Sequence, residues 1–184
     1  MQKNKITTKS LVCCALLAAV SVVMARVLCF ATPDGIRWSL DKFPLFLAGL
    51  FFGPVLGGLT GFTADFLGSI MQFGFNPLLC PPAILYGVFG GLLRHFIRKN
   101  PSVLRLALSY LFPILLGSIL YQSLALSYFY FDGTLWAGFL YYLGTRTFQF
   151  SIMLVAEVSI LFVLLKTKIF TRMGIWNPGK ESNK

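Results

Sequence analysis

Apolar residues in this chain come in long runs, each parted from the next by a few polar, glycine or proline positions. The runs cover residues 10–25, 43–52, 55–71, 79–96, 103–128 and 137–165. A helix needs roughly 20 residues to cross a bilayer core of about 30 Å, so runs of this length are read as membrane spans. The run at 43–52 is short and is joined to the next through Gly53-Pro54 with little loop. Composition agrees: 57% of residues are hydrophobic and only 12% charged, about half the share in a soluble domain. Mean hydropathy is +0.76. A soluble globular enzyme is excluded on that count, and so is intrinsic disorder, which needs low hydrophobicity. The basic start before the first run resembles a signal peptide, but no small-x-small cleavage pattern follows it.

Turn chemistry fixes the boundaries. The stretch 72–77 ends in Asn76-Pro77 and reads as a turn, and Pro81-Pro82 suits the first turn of the helix that follows. Asn100-Pro101 ends that helix, Pro113 is expected to kink the fifth span, and residues 131–134 turn the chain into the sixth.

The net charge of +10 comes from 16 basic and 6 acidic residues. Lys3, Lys5, Lys9, Arg94, Arg98, Lys99, Arg105, Lys166, Lys168, Arg172, Lys180 and Lys184 all lie in the two tails or the 94–105 junction; only Arg26, Arg37, Lys42 and Arg146 lie elsewhere. If the tails and that junction are cytoplasmic, the bias obeys the positive-inside rule. The expectation is therefore an all-α membrane protein: one domain over 1–184, six transmembrane helices, both termini cytoplasmic, tails at 1–9 and 166–184. Topology accounts for the basic residues, so nucleic acid is not a partner; the lipid bilayer is.

With that orientation the unusual residues reach one depth. Arg26, Asp65, Asn76, Tyr86, Tyr121, Gln122, Arg146 and Gln149 fall in the outer half, beside a first loop holding Asp34, Arg37 and Trp38. A charge in a membrane span costs about 2.5–3.5 kcal/mol on insertion scales, so Arg26, Asp65 and Arg146 need partners. Either Asp65 pairs with Arg26 or Arg146 and ties helices together, or these groups line a ligand cavity in the outer half. The nearby aromatics, Trp38, Phe75 and Tyr121 among them, favour a flat polar or anionic ligand, though each ring taken singly fits packing as well. Glu157 falls in the inner half and is expected to pair with Arg105 or another inner base.

Small residues mark packing seams. Gly53, Gly57 and Gly61 recur every four positions with Asp65 and Ser69 in line, and Gly87 and Gly91 repeat the spacing one helix later. Ala15 and Ala19 on the first span suit internal packing or a smooth docking face for another membrane protein. The four cysteines form no CxxC and the chain has one His, so they are read as reduced and no metal site is expected. No P-loop, HExxH or GxSxG occurs. The chain is therefore read as a non-enzyme without a cofactor.

The segment from Ile36 to Pro54, with Arg37, Pro44, Gly49 and the Gly53-Pro54 step, is similar to the first loop and second span of the S components, the substrate-binding subunits of energy-coupling factor (ECF) vitamin transporters. Gly57-Gly58, Gly61, Asp65 and Gly68 continue the likeness, as do Phe75-Asn76-Pro77, Ile84 to Gly87 and Thr145-Arg146. The pattern most resembles the folate-specific members, over roughly residues 10–165. The stretch 72–78 is more compact than the family's aromatic and glycine-containing lid. The resemblance implies high-affinity vitamin binding, docking onto a transmembrane T subunit and two ATPase subunits that hydrolyse ATP, and a bacterial plasma-membrane location. It also implies that Ala15 and Ala19 match the docking motif. Arginines grip carboxylates as a fork, so Arg26, Arg37 and Arg146 suit the glutamate end of folate. Asp65, Asn76 or Gln149 suit the pterin edge, with Trp38, Phe75 or Tyr121 stacking on it. An S component for another vitamin or heterocyclic solute, and a membrane assembly or lipid-handling protein, are the other readings.

Overall fold

A computed structural model describes residues 7–27, 29–31, 37–71, 76–99, 102–131, 133–167 and 170. The elements run α1 (Thr8–Val27), β1 (Cys29–Ala31), β2 (Arg37–Ser39), α2 (Phe43–Phe52), α3 (Pro54–Ile70), a 3-10 turn (Pro77–Leu79), α4 (Pro81–Leu92), α5 (Arg94–Lys99) and α6 (Val103–Pro113). A π-helical segment (Ile114–Tyr121), α7 (Gln122–Tyr130) and α8 (Leu135–Lys166) complete them. Three stretches, Thr8–Val27, Val103–Phe129 and Leu135–Lys166, are long and apolar enough to cross a membrane. Phe43–Phe52 and Pro77–Leu92 are shorter apolar helices.

The Gly53-Pro54 step turns α2 directly into α3. Gly53 adopts φ 98°, in the left-handed region where a side chain costs about 1–2 kcal/mol. Its N–H closes α2 on the Gly49 carbonyl at 2.8 Å, and its own carbonyl accepts from Gly57 at 2.9 Å to open α3. Pro54 occupies the first turn of α3, where no N–H is needed.

The glycine seams form the tightest packing in the molecule. A Cβ on Gly87 of α4 would run into the Gly57 carbonyl of α3, and one on Gly61 would meet the Ala83 carbonyl. Gly49 of α2 faces the Gly87 carbonyl in the same way. Three helices therefore touch backbone to backbone, the arrangement that small residues permit in a membrane. Around this seam the core gathers Phe46, Leu50, Ala64, Tyr86, Tyr110, Ile114 and Leu161.

Three features differ from the sequence expectation. The first loop contains a two-stranded antiparallel hairpin, β1 with β2, in which Phe30 opposes Trp38. The fourth helix stops at Leu93, which leaves the helical region at φ −88°, ψ 4°, and the basic run 94–99 forms a separate helix. Pro113 does more than kink the fifth span: the residues after it wind as a π-helix. Proline supplies no N–H and crowds the preceding turn, and both prolines and π turns mark places where a helix kinks.

Candidate functional site

Arg146 of α8, Tyr86 of α4 and Ser118 of the π segment meet. The Arg146 Nη1 donates to the Ser118 carbonyl at 3.5 Å, and the Tyr86 and Ser118 hydroxyls are 3.0 Å apart. Tyr86 and Ser118 are fully buried, and the guanidinium lies 5.9 Å from the centre of the Phe150 ring. Gln149 is buried about one helical turn from Arg146. Tyr121 and Gln122, at the end of the π segment, are half-buried.

A second group joins α1 to α3. The Arg26 Nη2 donates to the Gly68 carbonyl, one turn beyond Asp65 on α3. The Asp65 carboxylate accepts from the Cys80 thiol, and its Oδ2 is buried without a partner, as is the Arg26 Nε. All four cysteines are free thiols. Neither Arg26 nor Arg146 forms an ion pair with Asp65; Lys42 pairs with Asp41 instead. Of the two readings of these charges, the helix-tying salt bridge is therefore absent.

Asp41 and Lys42, at the hairpin's root, were not among the candidate residues read from the sequence. Asp41 is 9% exposed. Its backbone carbonyl accepts from the Ser21 hydroxyl of α1 at 2.7 Å, and Ser21 lies about 9 Å below the end of α1. The Asp41 Oδ1 accepts from Ser39 at 2.6 Å and Oδ2 from the Lys42 ammonium at 2.7 Å. Burial alone would raise the Asp41 carboxyl, but the Lys42 charge and these hydrogen bonds hold it below the usual carboxylate range. Lys42 is held above the usual amine range despite its burial, chiefly by Asp41, with Asp65 and Glu157 adding to the field.

Glu157 corrects another expectation. It lies about 16 Å along α8 from Arg146, and it does not pair with Arg105, whose guanidinium sits 5.2 Å from the Phe96 ring centre. Glu157 is 1% exposed, and its Oε2 accepts from the Tyr110 hydroxyl at 2.7 Å. Tyr110 packs edge-on against Phe46 at 4.9 Å and beside Tyr86 at 5.3 Å. Two adjacent opposite charges immediately before Phe43-Pro44 were the signal for Lys42 and Asp41. Nothing in the sequence marked Ser118 or Tyr110 beyond their place in apolar runs.

The other nominated residues divide. Trp38 is half-buried on β2. Asn76 is occupied as a cap: its Oδ1 accepts from the Leu78 N–H at 3.1 Å and starts the 3-10 turn. Ala15 and Ala19 are exposed on α1, on a face shared with Leu11, Leu16 and Val23. Phe75 and the Arg37 side chain lie outside the described residues. Each of the two groups, Arg146 with Tyr86 and Ser118, and Arg26 with Asp65, combines a guanidinium with polar atoms that suit a ligand carrying acceptor or donor groups.

The family described as ECF transporter, substrate-specific component, matches residues 9–170. A curated relative, the folate transporter FolT of Clostridium novyi (strain NT), is 34% identical over 101 residues, 52% of this chain and 55% of that protein. The chain thus spans about half the length of that relative. A crystal structure of FolT bound with folic acid aligns with a TM-score of 0.66 and 28% identity, over 84% of this chain and 93% of that one.

Proposed function

The chain belongs to the substrate-specific components of ECF transporters, and from that premise we propose that it is the folate-binding membrane subunit of an ECF-type importer in the bacterial plasma membrane. The observation that carries the reading is the fold shared with a folate-bound relative along nearly all of that protein. The placement of Arg26, Asp65, Tyr86 and Arg146 around polar, partly unpartnered atoms supports it.

In this reading α1, α2, α3, α4, the α6–α7 rod and α8 are the six spans. Both termini face the cytoplasm, where the basic residues gather. The ligand enters a cavity in the outer half. Arg146 and Arg26, with Arg37, take the glutamate carboxylates; Asp65 and Gln149 take the donor edge of the pterin; Trp38 and Tyr121 stack on the ring, with Phe75 beside them. Asn76 and Gln122 border the ligand. Substrate-specific components are binding subunits, not enzymes, so ATP hydrolysis falls to two partner ATPases reached through a T subunit. The exposed Ala15 and Ala19 give that subunit a smooth face on α1.

The test is the protein purified in detergent. Saturable folic-acid binding by calorimetry, together with a pterin absorbance band in the co-purified ligand, is the expected result. A thiamine or riboflavin spectrum with no folate binding would replace the vitamin.

A further inference from the structure

A polar contact joins α8 to the fifth span on each side of Pro113. Before the break, the Tyr110 hydroxyl of α6 donates to the Glu157 Oε2 of α8 at 2.7 Å. Beyond it, the Arg146 Nη1 of α8 donates to the Ser118 carbonyl of the π segment at 3.5 Å. Tyr86 of α4 touches both contacts. Its ring centre lies 5.3 Å from that of Tyr110, and its hydroxyl lies 3.0 Å from the Ser118 Oγ. Phe46 of α2 meets the Tyr110 ring edge-on at 4.9 Å. Glu157, Tyr110, Tyr86 and Ser118 are all buried, so water cannot stand in for a hydrogen bond lost among them. Glu157 and Arg146 belong to one continuous helix, which keeps them about 16 Å apart along its axis.

The fifth span is not one uniform rod, because Pro113 interrupts it and π winding follows. The place of Ser118 therefore depends on its lateral contacts as well as on its own helix. The Arg146 contact is at the long limit of a hydrogen bond and holds little by itself, whereas the Tyr110 contact is short. We infer that Tyr110 and Glu157 are positioning residues for Arg146: their hydrogen bond fixes α8 against the fifth span before the break, Tyr86 carries that reference across to Ser118, and the guanidinium is thereby set in place. The bond needs a hydroxyl and an acceptor, so the role does not depend on the charge of Glu157. That Arg146 then meets a carboxylate of the vitamin rests on the folate-binding reading; the positioning itself does not.

The test reads Arg146 in ligand-free protein. Phenylglyoxal adducts, located by mass spectrometry in the detergent-purified chain, give the modification rate of Arg146, with Arg26 on α1 as the internal control. Tyr110→Phe keeps the ring and removes the hydroxyl; it should raise the Arg146 rate severalfold and leave that of Arg26 unchanged. Glu157→Leu should do the same. Glu157→Gln, which keeps an acceptor for the hydroxyl, should stay near the parent. Tyr110→Phe and Glu157→Leu together should do no more than either alone, since both remove one hydrogen bond. Leu161→Ala, one turn along α8 in the packed core, should lower the melting temperature without changing the Arg146 rate. A merely structural role for the pair predicts instead that the Arg146 rate follows the melting temperature in every variant. Folic-acid affinity should fall about tenfold in Tyr110→Phe, on the scale of one buried hydrogen bond, and be retained in Glu157→Gln. An unchanged Arg146 rate in folded Tyr110→Phe would overturn the inference, as would an equal rise in Leu161→Ala. Should Tyr110→Phe fail to fold, Glu157→Leu against Glu157→Gln decides by the same criterion. The expected Arg146 rates in a protein that binds no folic acid would remove the functional reading and leave the positioning standing.

Discussion

The Tyr86 and Ser118 hydroxyls lie 3.0 Å apart in the centre of the bundle, joining α4 to the π segment at the residue whose carbonyl receives Arg146. Both side chains are fully buried. Removing one leaves the other hydroxyl without its partner, which costs about 1–3 kcal/mol. Tyr86→Phe should therefore lower thermal stability in detergent by an amount in that range. It should weaken folic-acid binding by severalfold, because the Tyr86–Ser118 hydroxyl contact holds the turn whose backbone carbonyl receives Arg146. Ser118→Ala should behave alike, and the double variant should be little worse than either single one. Additive losses, measured by unfolding and by titration, would show that the two hydroxyls act independently.

The glycine seam makes a sharper demand. A Cβ on Gly87 would occupy the space of the Gly57 carbonyl, which is backbone and cannot swing away. Overpacking of this kind costs about 1–3 kcal/mol or more, so Gly87→Ala should lower the melting temperature markedly or prevent folding. Gly144 on α8 has nothing within 4 Å of the place its Cβ would take. Gly144→Ala gains helix propensity of roughly 0.5–1 kcal/mol and should be neutral or stabilising. Equal melting temperatures for the two alanine variants would refute backbone contact at the seam.

Arg146 and Asp65 are the strongest nominations for the ligand. Truncating one partner of a buried charged contact costs about 2–5 kcal/mol, which is about 30-fold or more in Kd. Arg146→Ala and Asp65→Asn should each weaken folic-acid binding by that order while the protein elutes as a folded species. Arg146→Lys should recover only part of the loss, because an ammonium lacks the planar fork. Unchanged affinity in both Arg146→Ala and Asp65→Asn would remove these residues from the site.

These residues differ in how visible they were before the fold was known. The seam was legible because a four-residue glycine spacing is a local pattern with one packing consequence. Gly57 duly meets Gly87. Tyr86 and Arg146 were legible as polar groups in apolar runs, which are costly without a purpose. The descent of Asp41 to Ser21 was not, because a buried loop root depends on partners twenty positions away. Nor was the link from Tyr110 to Glu157, which spans 47 positions. Pro113 announced a break in its helix, but the π winding that carries Ser118 to Arg146 is a tertiary outcome.

Asn76 is the case where a local signal was present and names a cap. An Asn followed by a proline at the first helical position is a capping pattern, and the Asn76 Oδ1 accepts from the Leu78 N–H at 3.1 Å. Asn76→Ala should cost about 1 kcal/mol of stability, as the loss of a cap does. Asn76→Asp keeps the acceptor oxygen and loses the amide donor. If the side chain serves only as a cap, the aspartate variant should match the parent in melting temperature and in folic-acid affinity. If the amide also donates to the bound vitamin, the aspartate variant should keep its stability and lose affinity by about tenfold. Titration and thermal unfolding of the two variants side by side decide between a cap and a contact.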